Sequence, residues 1–252
     1  MAFTITNRLN SSSGGAVSSF TTPSFTPSAD SWVVMFAQSE EDGGTSNAPT
    51  WSITDSVGLT WSKRAEATWP STSYSGKGVC WTAPVGSSPA AMTVTVDDAR
   101  PGGNSFYQTR LVDVTASGTI SFVQGKAASI GNSGSPSNTA SITLVLDATP
   151  DTAGLVIGCI LTNDNSGSAT LPTGYSAITG NNAKTAAFYD DASASATLTC
   201  PDLGTDVYWG SVVGIELAEA GGGGAVMPVL LPRLMAGVPF SGHRRVMPNG
   251  LN

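Results

Sequence analysis

Apolar runs of strand length, separated by turn residues, recur along the chain as far as residue 220. Trp32–Ala37 is continuous and apolar, whereas Ala91–Val96 and Phe106–Val114 alternate apolar and polar positions, the period of a half-buried strand. Ser52–Pro84 organises the first half. Trp51, Ile53 and Asp55 alternate, Ser56-Val57-Gly58 supplies a turn and Thr60-Trp61 opens a second run, so the pattern predicts a hairpin feeding a third strand that ends in Gly78–Pro84. Trp51, Trp61 and Trp81 read as anchors between two facing sheets. Before them, residues 1–30 hold Pro23, Pro27 and a Ser/Gly run, the texture of an edge strand or arm.

The second half continues the pattern. Ile120–Gln124, Ser141–Leu146, Gly154–Leu161, Tyr175–Ile178, Thr185–Tyr189, Ala196–Cys200 and Val207–Leu217 are strand candidates, with Asn/Asp/Gly/Pro turns between them. No ten-residue stretch carries a 3.6-residue period with caps. The prediction is an all-β protein, a large jelly-roll-like antiparallel β-sandwich over residues 1–220, with two small sandwiches over 1–118 and 119–220 as the alternative. The halves share an order, Ser31–Ala37 matching Ser141–Leu146 and Leu111–Val114 matching Val212–Leu217, but their identity is too thin to define a repeat.

At Gly221–Gly224 the character changes. A glycine linker leads into Ala225–Phe240, apolar but broken by Pro228, Pro232 and Pro239, and then into a basic end, Ser241–Asn252. Residues 221–252 read as an extended anchoring tail. Its docking residues are Val229, Leu230, Leu231, Arg233, Leu234, Met235, Phe240, Arg244 and Arg245.

Composition narrows the setting. Charged residues make up 12% of the chain, about half the usual ~25%, so hydroxyls and small side chains must cover much of the surface. Charge is also unevenly placed: the body holds all eighteen acids against eight lysines and arginines, while the tail has three arginines and no acid. An acidic body argues against nucleic acid as a partner. No run approaches ~18 apolar residues, and Met1–Arg8 lacks the order of a secretory signal, so the expectation is synthesis in a host cytoplasm with no membrane partner.

The available chemistry is sparse. The lone histidine, His243, lies in the tail, which leaves the body without Ser-His-Asp or Cys-His activation and without the usual zinc ligands. Cys80, Cys159 and Cys200 sit in apolar runs and read as buried thiols, with a Cys159–Cys200 bridge left open. The adjacent pairs Glu40-Glu41, Asp97-Asp98 and Asp190-Asp191 read as solvated loop charges; Glu66 and Glu216, on strands, are better placed for acid–base work, although Glu216 falls on the outward, polar step of its strand. Asn163–Gly167 has the opening of a calcium loop without its distal glutamate and reads as a turn. No metal or cofactor is expected. Trp69, Tyr74, Tyr107, Tyr175 and Trp209 are the aromatics for a sugar-stacking platform, with Trp69 and Tyr74 the leading pair because they flank a Pro/Ser loop.

Thr22–Val34, Ile53–Trp61, Val79–Ala83, Thr93–Val96 and Val213–Leu217 together resemble a loose group of β-sandwich structural proteins of tailed bacteriophages and prophages. The resemblance spans roughly residues 15–220 and rests on core and turn positions, so it carries over no functional residues. It implies a non-enzymatic virion component. The expectation is a capsid decoration or spike protein, homo-oligomeric and anchored on capsid or tail subunits through its C-terminal tail. The alternative is a tail-associated receptor-binding or glycan-binding module for host attachment through a surface glycan, with a polysaccharide hydrolase third.

Overall fold

The computed structural model describes residues 3–41, 50–69, 75–99, 105–131, 141–162, 169–192, 194–204, 207 and 209–220. They form antiparallel β-strands and no helix. The strands of the first half are β1 (Thr4–Ser12), β2 (Phe20–Thr21), β3 (Trp32–Glu41), β4 (Ser52–Asp55), β5 (Ser62–Thr68), β6 (Ser75–Pro84), β7 (Val94–Asp97) and β8 (Phe106–Thr115). Those of the second are β9 (Thr119–Gly131), β10 (Ile142–Val145), β11 (Leu155–Thr162), β12 (Ser176–Ala177), β13 (Thr185–Asp190), β14 (Thr197–Cys200) and β15 (Trp209–Ala220).

These strands stack as four sheets. A three-stranded sheet, β2-β7-β4, covers a five-stranded one, β1-β8-β3-β6-β5; this packs face to face on a second five-stranded sheet, β12-β13-β11-β15-β9, which the β10-β14 pair covers in turn. The two inner sheets are therefore buried on both faces. On β3, Val34 and Phe36 enter the central core while Val33, Met35 and Ala37 enter an outer one. On β11, Leu155, Ile157, Cys159 and Leu161 point centrally and Val156 and Ile160 outward. That is why both strands read as unbroken apolar runs rather than alternations.

The halves follow one plan. Read from its β9 edge, the second inner sheet runs β9-β15-β11-β13-β12, the same chain order as β1-β8-β3-β6-β5. The outer strands repeat it in register: Phe20 and Thr21 face Val96 and Thr95, as Ile142 and Thr143 face Cys200 and Thr199. The threonine hydroxyls of each pair bond across the strands at 2.8 and 3.2 Å. The register equates β3 with β11, not with Ser141–Leu146 as the apolar pattern alone indicates; the true counterparts share a Thr-Pro entry, Thr26-Pro27 and Thr149-Pro150.

The plan includes a buried carboxylate. Asp113 on β8 stands opposite Val33, and Glu216 on β15 stands opposite Val156. Each accepts a bond from the backbone N–H that lies four residues before the central strand begins, Ser28 at 2.6 Å and Asp151 at 2.9 Å. Each also takes a side-chain donor from the edge strand, Arg8 Nε at 2.7 Å and Gln124 Nε2 at 2.6 Å. Both edge strands slip register here, β1 at the donor Arg8 itself and β9 at Val123, next to the donor Gln124. Glu216 is thus a structural group, 2% exposed and facing the outer core, and not a residue of a solvated strand face as its sequence position indicates. A strand whose two faces are both covered has no polar side.

Several side chains tie the halves together against this symmetry, among them Gln38, whose Nε2 donates to the Thr162 carbonyl at 2.6 Å, Asn10, whose Nδ2 donates to that of Gly180 at 2.6 Å, and Arg110. Arg110 on β8, fully buried, donates through Nη1 to the Gly180 carbonyl at 2.5 Å and through Nη2 to the carbonyls of Ile178 (3.2 Å) and Thr179, all beyond β12 in the other half. Burial lowers its pKa, and three aligned carbonyl dipoles stand in for a counter-ion. On the opposite flank Arg64, the extra residue of a β5 bulge, lies 4.2 Å from the Phe122 ring of β9 and 5.5 Å from that of Trp32.

Two variants test the carboxylates. Asp113→Asn and Glu216→Gln are each expected to lower unfolding free energy by about 2 kcal/mol in urea titrations, because each exchanges an acceptor of charge-assisted bonds for an amide whose N–H₂ meets donors. The double variant should lose close to the sum, since the two sites lie in different sandwiches.

Candidate functional site

The Ser52–Pro84 stretch departs from its predicted hairpin. β4 pairs with β7 in the outer sheet and β5 pairs with β6 in the inner one, so residues 56–61 form an arch that crosses the sandwich. Asp55 builds the arch. Its Oδ1 accepts from the N–H groups of Val57 (2.8 Å) and Gly58 (2.6 Å), and its Oδ2 from Leu59 N–H (3.0 Å) and the indole Nε1 of Trp61 (2.8 Å). Gly58 sits at φ +83°, where only glycine is unstrained. A side-chain acceptor that satisfies three consecutive N–H groups leaves none for a paired strand, which is why the turn crosses sheets.

Between the arch and the edges of β4 and β5 lies an open groove of about 520 Å³. Trp51, Trp61 and Trp81 contribute its aromatic lining, with Ile53 and Leu59, and Ser52, Thr54 and Lys63 its polar one. Trp51 is wedged edge-on against Trp81 (centroids 5.5 Å) and Tyr107 (5.8 Å), so these rings do anchor the facing sheets. Trp61 is only partly buried. The indole N–H of Trp51 is buried and has no acceptor among the described residues.

The carboxylates singled out from sequence do not converge. Glu66 on β5 lies between Lys63 (2.8 Å) and Lys77 (3.3 Å); burial alone would raise its pKa, but the two ammonium groups outweigh it and hold the carboxyl below its usual range. It faces the outer core of the first sandwich, whereas Glu216 faces that of the second, so the two cannot flank one scissile bond. Asp98, expected as a loop charge, is buried: Ser105 Oγ donates to it at 2.8 Å, and the Tyr107 hydroxyl lies 3.0 Å away. Burial and the neighbouring aspartates push the Tyr107 phenol well up. Among the described residues no group of three or more His, Cys, Asp or Glu could hold a metal.

The aromatic platform is also corrected. Trp69 is 2% exposed, stacks on Trp209 at 6.0 Å, and lies so close to Gly76 that a Cβ there would come within 1.8 Å of its ring. Tyr107 and Trp209 are buried as well, and Tyr175 packs edge-on against Phe188. These rings have protein partners where a sugar would stack. Tyr74, Asn163–Gly167 and the tail positions Val229, Leu230, Leu231, Arg233, Leu234, Met235, Phe240, Arg244 and Arg245 lie outside the described residues. The Trp61 groove was legible only as a hairpin signal, because the aspartate that pins the ring reads as an ordinary turn residue.

All three cysteines are free and buried. Cys159 belongs to the central core and Cys200 to an outer one, on opposite sides of the second inner sheet. Burial pushes both thiols up to about 12, and Cys80 well above its usual value. Comparison of the chain with protein-family models, curated proteins and solved structures finds no match in any of the three.

Two outcomes follow from this geometry. At pH 8 the native thiols should resist alkylation and react once urea unfolds the chain; native labelling of any of them would contradict their burial. Asp55→Ala should cost about 2 kcal/mol of stability and shift the tryptophan emission to the red, because the arch loses its acceptor and Trp61 its anchor.

Proposed function

We propose that this chain is a non-enzymatic structural protein of a tailed-phage virion, a decoration or spike protein whose sandwiches project while residues 221–252 anchor it to capsid or tail subunits. One observation carries the reading. β15, the last described strand, ends at Ala220 and is already paired on both sides by β11 and β9, so it leaves no open edge for the residues that follow. Those residues nevertheless hold a glycine linker, Val229, Leu230, Leu231, Leu234, Met235 and Phe240, and the arginines 233, 244 and 245, a composition suited to lying along an acidic, partly apolar partner surface.

The outer sheets support the same reading. Their threonine pairs present hydroxyls, and their exposed large apolar side chains are single ones such as Val145. A hydroxyl-rich surface of low charge is compatible with many copies held close together on one particle. Repetition on a symmetric lattice would multiply a weak peptide anchor into durable attachment.

Deleting Gly221–Asn252 should leave the circular dichroism and the urea midpoint of the sandwich unchanged while abolishing its incorporation into particles. Incorporation of the truncated chain at the full-length level would remove the tail from this role.

A further inference from the structure

In the second half the chain crosses from the Thr170–Asp202 bridge of the outer layer to β12 through residues 171–175, with Gly174 at φ +88° and the Tyr175 ring packed edge-on against Phe188. In the first half the crossing from β4 to β5 has Gly58 at φ +83° and ends on Trp61, whose indole N–H is held by Asp55. The two crossings differ in the ring they present and in what holds it.

The chemistry of the groove is specific. Trp61 is held by its N–H bond to Asp55, which fixes the ring plane before anything binds. Asp55 is committed to four N–H donors, and Lys63 is paired with Glu66 at 2.8 Å, so both groups already have partners within the protein. What remains is a partly exposed indole, the apolar Ile53 and Leu59, and the exposed hydroxyl residues Ser52 and Thr54. A prefixed aromatic surface beside uncharged donors and acceptors matches a ring with an apolar C–H face and a hydroxyl rim. It does not match an ion. We infer that this groove binds a neutral pyranose unit of a polysaccharide, its C–H face on Trp61 and its hydroxyl rim toward the exposed Ser52 and Thr54. The openness of the groove along β4 and β5 would let a chain continue past the bound unit.

This inference is independent of the anchoring role, since the groove is built wholly within residues 51–81. The test is a ¹H–¹⁵N NMR titration of the full chain with methyl glycosides and short oligomers of neutral hexoses and N-acetylhexosamines, with methyl glucuronide as the charged comparison. The expected result is saturable movement of the Trp51 and Trp61 indole N–H signals with at least one neutral probe and none with the glucuronide. Trp61→Ala should weaken that binding about tenfold. Thr54→Val, which keeps the side-chain shape but removes an exposed hydroxyl of the rim, should weaken it about fivefold. Stillness of both indole signals with every neutral probe to roughly 20 mM, where even weak sites fill, would overturn the inference. A response to the glucuronide alone would do the same, as would undiminished binding in both variants.

Discussion

Burying both faces of two adjacent sheets is the constraint on which the rest of this structure depends. Once β3, β8, β11 and β15 lie between an outer and a central core, the polar side chains on them have to turn to partners inside the protein, because no solvent face is left. Asp113, Glu216 and Arg110 answer that demand in different ways. The two carboxylates hold the chain at its entry to the central strand of each half, while the guanidinium gathers three carbonyls from the opposite half. The first arrangement is repeated and belongs to the plan of each sandwich. The second belongs to a set of side-chain bonds, with those of Gln38 and Asn10, that joins them.

Much of the fold was legible in the sequence because it rests on local pattern. Every apolar run from Trp32 to Leu217 lies on or beside a strand, and the continuous runs are the strands with two covered faces. What escaped were choices made by tertiary partners. Ser56-Val57-Gly58 has the composition of a hairpin turn, yet Asp55 takes up the N–H groups that would set the pairing, and the strands part to different sheets. Glu216 alternates with apolar neighbours as a solvated residue would, but β10 and β14 cover that face. The kinship of the halves lay in Thr-Pro entries and in single acids near the strand ends, signals too short to stand out before the register was known.

The candidate sites followed the same division. Trp69 was conspicuous because it borders a Pro/Ser loop, but Trp209 arrives from the far end of the chain to cover it. Trp61 looked like one more core anchor, and its position at an edge depends on the arch crossing between sheets. The tail is a question of composition throughout. Its apolar and basic residues follow a strand, β15, that is already paired on both sides, and the proposed anchoring role rests on that contrast.

A particle role makes a direct claim about where the protein is found and in what number. Quantitative mass spectrometry of virus particles purified from the source of the chain, scaling it to their major capsid subunit, tests the proposal. The account predicts a copy number equal to that of the capsid lattice or a simple fraction of it; absence of the chain from the particles would contradict it.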